Sequence, residues 1–528
     1  MIKYDKFMKF VIICLISTLI LVGCSSGNTS NKSTESTTSS TSNSQGTQET
    51  TQEQLQEVHL NGYICSVEQT GTKAVKEILN EKLKEDINTT IDWKFFSHVD
   101  ANTKLPLLFA GGESVDFINS NFVYAQEAAK GSFYEITMDY VQRYMPLTYA
   151  AVPEKVWNLT KVNGKIYKIP QSFAELVVLG MGYRQDLVEK YNVPEIKTYD
   201  DLIPYLEAIK INEPDMIPYD LGGYELGNDE NFATLPTVYI QAKYGIFPTY
   251  WGFNMDADDL YEGQIYRIDD PEYANAIKDA ATFVKNLCDL GYIPKDAFSN
   301  QNNTDMGSGR SGLGYLNFEG AGSVMNAFEA KGWKYGYLLD VTPKGRMKSG
   351  FGNGVAFPKN GQNLERTMMA FDLITQDESY VMLINFGIEG THYVINADGT
   401  VGDPPELDIT NDPYPLYMDG FWFTNRDLWP QIGSMPSEWV SERTALKQKA
   451  ADDVFLYYGF NPNYDAVKSE LANIKTVVAQ YGTPLFIGNV DNVDEAFETF
   501  VSNLKAAGYD KVFETISQQY KEYCNTVR

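Results

Sequence analysis

Val58-His59-Leu60-Asn61-Gly62-Tyr63-Ile64-Cys65-Ser66 opens the stretch that decides the fold, which runs on to Asn119. These residues are mostly apolar and β-prone and read as a strand. After them Val75, Ile78, Leu79, Leu83 and Ile87 recur at helical spacing between charged residues, which predicts a helix over residues 72–87. Ile91, Trp93 and Phe95 then alternate with polar neighbours, the period of a strand with one buried face. A short helical stretch follows and ends at Gly111-Gly112, where glycine readily takes the left-handed conformation of a helix terminus. Pro106 inside it should bend or shorten it. Val115–Asn119 is a third strand. Strand, helix, strand, helix, strand at this spacing predicts βαβ units and a mostly parallel sheet. Ligands of open parallel sheets bind beyond the carboxyl ends of the strands. That singles out the loops Ser66–Glu68 and Asn119–Phe122.

Further along, Thr198-Tyr199-Asp200-Asp201 caps a helix running to about Lys210. Pro271 to Leu290 is amphipathic, with Ala276, Ile277, Ala280, Phe283, Val284 and Leu287 on one face. From about Pro436 the chain reads as largely helical and closes with Val493–Ala507 and Lys511–Cys524. With 528 residues, 43% of them hydrophobic, it can fill more than one core. Lys+Arg is 43 and Asp+Glu 70, a net charge of −27, which argues against nucleic acid as a partner, since phosphate neutralisation needs clustered basic residues. Five cysteines exclude a disulfide scaffold. His59, His98 and His392 lie far apart, and none pairs with another His or a Cys at metal-ligand spacing. No cofactor or metal is expected.

Residues 1–23 carry Lys3, Lys6 and Lys9 and then an apolar run from Phe10 to Val22, too short for a membrane span and shaped like a secretory signal. The run ends Leu21-Val22-Gly23-Cys24, which resembles the lipobox of bacterial lipoproteins. The small residue admits the peptidase, and the Cys24 thiol is the nucleophile that takes a diacylglycerol, whose two chains give stable anchoring. Residues 25–56 are rich in Ser, Thr, Gln and Asn, with Leu55 their one apolar side chain. Such a segment cannot offset the entropy of ordering and is expected to be a disordered tether behind the lipidated Cys24, with a root-mean-square span of about 30 Å.

Gly307-Ser308-Gly309-Arg310-Ser311-Gly312 matches G-x-G-x-x-G, but a polar stretch precedes it and an extended aromatic stretch follows, so it reads as a turn rather than a dinucleotide site. No Walker sequence, H-E-x-x-H or G-x-S-x-G occurs, and no enzyme activity is expected. Three aromatic clusters carry more: Phe247 to Phe253 with Trp251, Trp333 with Tyr335 and Tyr337, and Tyr414 to Phe423 with Phe421 and Trp422. Flat rings fit the C–H faces of sugars, and neighbouring Asn, Asp and Glu meet hydroxyls. Most of these rings are expected in core or lobe packing. Trp422 ranks first as a ligand contact and Trp251 second.

Several ordered segments then point to a family. Leu107-Leu108-Phe109-Ala110-Gly111-Gly112-Glu113-Ser114-Val115-Asp116 has a helix, a Gly turn and a strand ending in Asp. Val162-Asn163-Gly164-Lys165-Ile166-Tyr167-Lys168-Ile169-Pro170, Tyr183-Arg184-Gln185-Asp186-Leu187, Lys197 to Leu202 and Gly387-Ile388-Glu389-Gly390-Thr391-His392-Tyr393 follow in order. The chain resembles family 1 of the extracellular solute-binding lipoproteins that serve carbohydrate ABC importers, in a Firmicute subgroup. Tyr464 to Asn473 and Leu504 to Gly508 echo that subgroup's C-terminal domain of unknown function. Bulky Phe109 and Pro106 depart from the usual small, unbroken pattern.

The resemblance implies an α/β, two-lobe type II periplasmic-binding-protein fold (a Venus flytrap) with a helical C-terminal region. It implies a first lobe of residues 57–172 plus 340–400, a second of 173–339, and a mostly helical region 401–528 packing on the lobes. Crossings between lobes are expected at Gln171–Val178 and near Tyr337–Thr342. By family position the ligand contacts are Glu68, Asn119, Asn121, Gln171, Glu175, Phe232, Glu319, Phe421 and Trp422, to which the aromatic cluster at 247–253 adds Trp251. The implied partners are a small solute, an oligosaccharide foremost, the importer's membrane subunits, and the outer face of the cell membrane through the lipid anchor. A peptide ligand, a polysaccharide-holding adhesin and a cleft hydrolase stay open as alternatives.

Overall fold

The structure, a computed structural model, describes residues 55–97, 104–109, 111, 113–120, 124–173, 178–221, 233–248, 265–297, 306–329, 331–340, 353–408, 411–416, 420–433, 435–452, 460 and 462–527. Nine strands among these form the two larger sheets: β1 (Val58–Cys65), β2 (Thr89–Phe96), β3 (Phe117–Asn119), β4 (Lys168–Pro170), β5 (Leu179–Arg184), β6 (Ile217–Tyr219), β7 (Ser311–Asn317), β8 (Tyr335–Leu339) and β9 (Gly354–Ala356). The first sheet runs β2-β1-β3-β9-β4 and the second β8-β5-β7-β6. Each stretch of chain predicted as a strand up to Asn119 lies in the first sheet. The helix predicted over 72–87 is α1 (Thr72–Ile87), closed by Asn88 in the left-handed conformation at φ 48°.

The sheets are mixed rather than mostly parallel. β1 pairs in parallel with β2 and β3, and β6 with β7. β9 is antiparallel to both of its neighbours, and β5 to both of its own. Both exceptions are strands that the chain enters on passing from one sheet to the other. β5 follows the passage after β4, and β9 the passage after β8, so neither is reached through a βαβ crossover.

Alternation along the strands sorts two faces of the first sheet. Leu60 and Ile64, Ile91, Trp93, Phe117, Ile169 and Val355 form a core with Val75, Leu79 and Leu83 of α1 and with Met368, Phe371 and Ile374. Cys65, Phe96, Ile118 and Ala356 face the other way, into a smaller cluster with Tyr124 and Phe133. The second sheet packs Met181, Tyr183 and Leu313 on α2 (Leu202–Asn212) and α3 (Pro271–Asp289). Tyr205 ties α2 to the sheet: its hydroxyl donates to Gly312 O at 2.7 Å and accepts from Arg184 N at 3.0 Å.

The C-terminal chain belongs to both cores. Tyr414, Phe421 and Phe423 complete the core of the first sheet. Met435, with Trp439 and Leu446 of α4 (Ser437–Asp452), packs with Leu316, Phe318 and Met325 beside the second sheet. A third passage between sheets therefore leads into Met435 and α4, beyond the two expected. The last helices, α5 (Val493–Ala506) and α6 (Tyr509–Val527), then enter the core of the second sheet through Phe497, Phe500, Leu504, Tyr509, Val512, Ile516 and Cys524. Lys278–Asp494 at 3.1 Å and Lys505–Asp269 at 2.6 Å hold them from outside. The G-x-G-x-x-G segment is a turn, as its flanks predicted: a 3-10 turn over Met306–Ser308, Gly309 at φ 80°, then β7.

Candidate functional site

The carboxyl ends of β1 and β3 meet a turn from far along the chain. Gly420 has φ 83°, and a Cβ there would lie 2.5 Å from Ile64 Cγ2 and 2.8 Å from Cys65 O. Only glycine combines that torsion with so close an approach, which seats the turn on the end of β1. Asn119, fully buried at the end of β3, donates through Nδ2 to Gly420 O at 3.4 Å. The two following rings point opposite ways. Phe421 is fully enclosed, edge-on to Trp93 with centroids 5.2 Å apart and 5.7 Å from Phe423. Trp422 is half-buried against the cluster that includes Tyr124 and Phe133.

The loop after β1 lies beside this turn. Ser66 N donates to Phe96 O at 3.1 Å, Val67 and Glu68 are exposed, and Gly71 N donates to Pro413 O at 2.7 Å. Behind β4, Gln171 is buried and its Nε2 donates to Phe173 O at 3.4 Å. The neighbouring Lys168 is fully buried, its ammonium 4.7 Å from the centre of the Tyr124 ring. Burial raises the Tyr124 hydroxyl well above the usual phenol range, so it stays protonated and donates to Thr160 O at 2.7 Å.

On the side of the second sheet, Glu319 sits in the 3-10 turn Phe318–Gly320 after β7, with Glu319 N donating to Asn317 Oδ1 at 3.2 Å. Its carboxylate is enclosed by cations. Arg443 donates to Glu319 Oε2 through Nε at 3.1 Å and Nη2 at 2.8 Å, and Arg426 Nη1 lies 3.7 Å away. Arg426 lies over the rings of Phe173 and Trp429, 5.1 and 5.5 Å from their centres, and its Nη2 donates to Trp422 O at 3.5 Å.

Of the predicted contacts, Asn119, Phe421 and Trp422 thus come together at Gly420, and Glu319 reaches the same turn through Arg426. Glu68 stands on the loop after β1, and Gln171 after β4. Asn121, Glu175, Phe232 and Trp251 lie outside the described residues, as does Cys24. Arg426, Arg443 and Phe173 were missed. No local pattern marks them, because the partners of an ion cluster that joins residues 319, 426 and 443 share no spacing rule. Among the described residues no group of three or more His, Cys, Asp or Glu could hold a metal ion, and no helix is long and apolar enough to cross a membrane.

Comparison with known proteins adds to this geometry. Residues 68–365 match the bacterial extracellular solute-binding protein family, and residues 456–525 match a domain of unknown function. A carbohydrate ABC transporter substrate-binding protein of Streptococcus pneumoniae is 23% identical over 455 residues, 84% of this chain and 86% of that one. The fructooligosaccharide ABC transporter substrate-binding protein FusA of the same organism is 25% identical over 334 residues, 58% of this chain and 56% of its own. Among solved structures, the N-glycan transport solute-binding protein NgtS of Streptococcus pneumoniae superposes with a TM-score of 0.74 at 19% identity, covering 90% of this chain and all of that one. Its complex with Man1GlcNAc gives 0.68, covering 89% of this chain. At that identity the likeness is one of fold: two α/β lobes.

Proposed function

Because the chain belongs to the family of bacterial extracellular solute-binding proteins, we propose that it captures an oligosaccharide between its two lobes and delivers it to an ABC importer, held at the outer face of the membrane by lipid on Cys24. The observation that carries this reading is the half-buried Trp422, set by the Gly420 turn beside the carboxyl ends of β1 and β3. An aromatic face there, with amide and carboxylate neighbours, suits the alternating C–H and hydroxyl surface of a sugar. The substrate-binding proteins it resembles, named for carbohydrate, fructooligosaccharide and N-glycan transport, support the same ligand class.

In this reading residues 57–172 and 340–400 form the first lobe, 173–339 the second, and 401–528 pack on both. Glu68 and Trp422 are the described residues that meet the ligand, with the buried Asn119 and Gln171 holding the segments beside them. Asn121, Glu175 and Phe232 join them by family position, and Trp251 by its aromatic cluster. Glu319 and Phe421, enclosed by their own partners, act from behind that surface. Hinge closure is the mechanism: a ligand touching both lobes binds the closed state better and shifts the population toward it. No bond of the sugar is broken, so the ligand is released as it entered. The test is native mass spectrometry of the purified protein against a panel of mannosyl-N-acetylglucosamine glycans, fructooligosaccharides and peptides. A glycan bound and recovered intact is expected. Binding of peptides alone, or recovery of cleaved glycan, overturns the reading.

A further inference from the structure

Arg426 and Asp427 are neighbours in one 3-10 turn, Arg426–Leu428, and each meets a charge from the other side of the third passage. Their own segment is fixed to the side of the first sheet: Asn425 N donates to Thr375 O at 2.9 Å, and Trp429 packs edge-on to Phe386 at 5.3 Å. Arg426 reaches Glu319 at the end of β7, with side chains 6% and 3% exposed. Asp427 Oδ1 accepts from Lys447 Nζ of α4 at 2.6 Å. α4 is itself fixed to the second sheet's side, where Trp439 Nε1 donates to Phe318 O at 3.3 Å and Arg443 grips Glu319. The ring of Phe173, beside the first passage, lies under the Arg426 guanidinium. One side chain, carried on a segment fixed to the first sheet's side, therefore touches the second lobe, the ring beside the first passage and the carbonyl of Trp422.

We infer that Arg426 is a positioning residue, which couples the Trp422 turn to the second lobe through Glu319 so that the arrangement of the lobes sets the place of the ring. The inference deepens the proposed capture function and rests on it. A planar guanidinium offers five donors in a fixed fork, so it holds acceptors from separate segments in one set geometry, whereas an ammonium is a compact charge on a flexible stem. A buried carboxylate that loses a cationic partner leaves charge uncompensated, so the cluster resists piecemeal rearrangement. Its geometry is thereby specified even where its net contribution to stability is small.

The test uses the full chain without ligand. Spin labels at Glu81→Cys on α1 and Ile211→Cys on α2, both exposed, report the distance between lobes by dipolar electron spin resonance. Arg426→Gln is expected to double the width of the distance distribution, and Glu319→Gln to do the same. The double variant should be no wider than either single one, because both break one coupling. Arg426→Lys should fall between wild type and Arg426→Gln. Acrylamide quenching assigned to Trp422, by difference from each variant's Trp422→Phe counterpart, should rise with the width. A cluster that only stabilises the fold would lower the melting temperature and leave distance and quenching unchanged. That result, or additive widening in the double variant, overturns the inference. Should Arg426→Gln fail to fold, Asp427→Asn at the more exposed pair takes its place: a wider distribution supports coupling and an unchanged one refutes it. Neither readout needs a sugar, so a wild-type protein that takes up no glycan counts against the capture reading alone.

Discussion

Trp422 and Phe421 are adjacent rings with opposite surroundings, and substitution should separate them. Truncating an aromatic at a binding hot spot costs about 2 kcal/mol or more, roughly 30-fold in affinity. Trp422→Ala should therefore lose that much affinity for the captured glycan by calorimetry and nearly keep its ligand-free melting midpoint. Phe421→Ala should instead cost about 3–5 kcal/mol of stability by denaturant unfolding, because its ring is fully buried against Trp93 and Phe423. The sequence marked Tyr414 to Phe423 as an aromatic cluster. It did not say which ring turned inward, since the left-handed torsion at Gly420 sets that and leaves no period to read. His392 offers a second test. Its Nδ1 accepts from Ile388 N at 2.9 Å and its ring stacks on Tyr414, and burial depresses its pKa below the ordinary 6.5 although Asp412 pulls the other way. On acidification the unfolded chain takes up the proton first. The contribution is complete above pH 6.5 and declines as the pH falls from there toward the folded value. Unfolding midpoints followed from pH ~8 to pH ~5 should show this decline, and His392→Asn should lessen it.

Elements were legible where several local signals agreed. The helix over 72–87 needed only its apolar spacing, and Pro271–Asp289 ended one residue short of the predicted Leu290. Thr198 and Asp201 form the capping box that their spacing announced: the Asp201 carboxylate accepts from Thr198 N at 2.8 Å and from Lys197 N at 3.0 Å. Thr198→Ala should cost about 1 kcal/mol, seen as a lower urea midpoint with an unchanged slope. Strand direction was not legible, because alternation has the same period whichever way a strand runs. β9 is three buried residues, Gly354–Ala356, too short to show alternation at all, yet it lies between β3 and β4 and turns the sheet mixed. The charges at 319, 426 and 443 were equally invisible, since only the folded chain brings them to one point.

At the scale of the whole molecule, two lobes joined by three passages predict a hinge. Small-angle scattering should give a smaller radius of gyration at saturating glycan, and an unchanged profile with a proven tight ligand would sink closure. Cys24→Ala should leave the precursor without lipid and uncleaved by the lipoprotein peptidase, which palmitate labelling and gel mobility would register. The two-lobe plan was legible because ordered motifs accumulate along the chain, whereas the third passage was not, because nothing local distinguishes a loop that changes lobe from one that stays. The way the C-terminal chain finishes both cores has a consequence in time. A ribosome extends the chain from its N-terminus at about 5–20 residues per second. The core of the first sheet lacks Phe421 and Phe423 until late in that process, and the core of the second lacks the residues of α5 and α6 until later still. For most of its synthesis neither lobe can close over its apolar surface. In a family of extracellular proteins, that order leaves apolar surface uncovered in each lobe until its C-terminal contributors have been made.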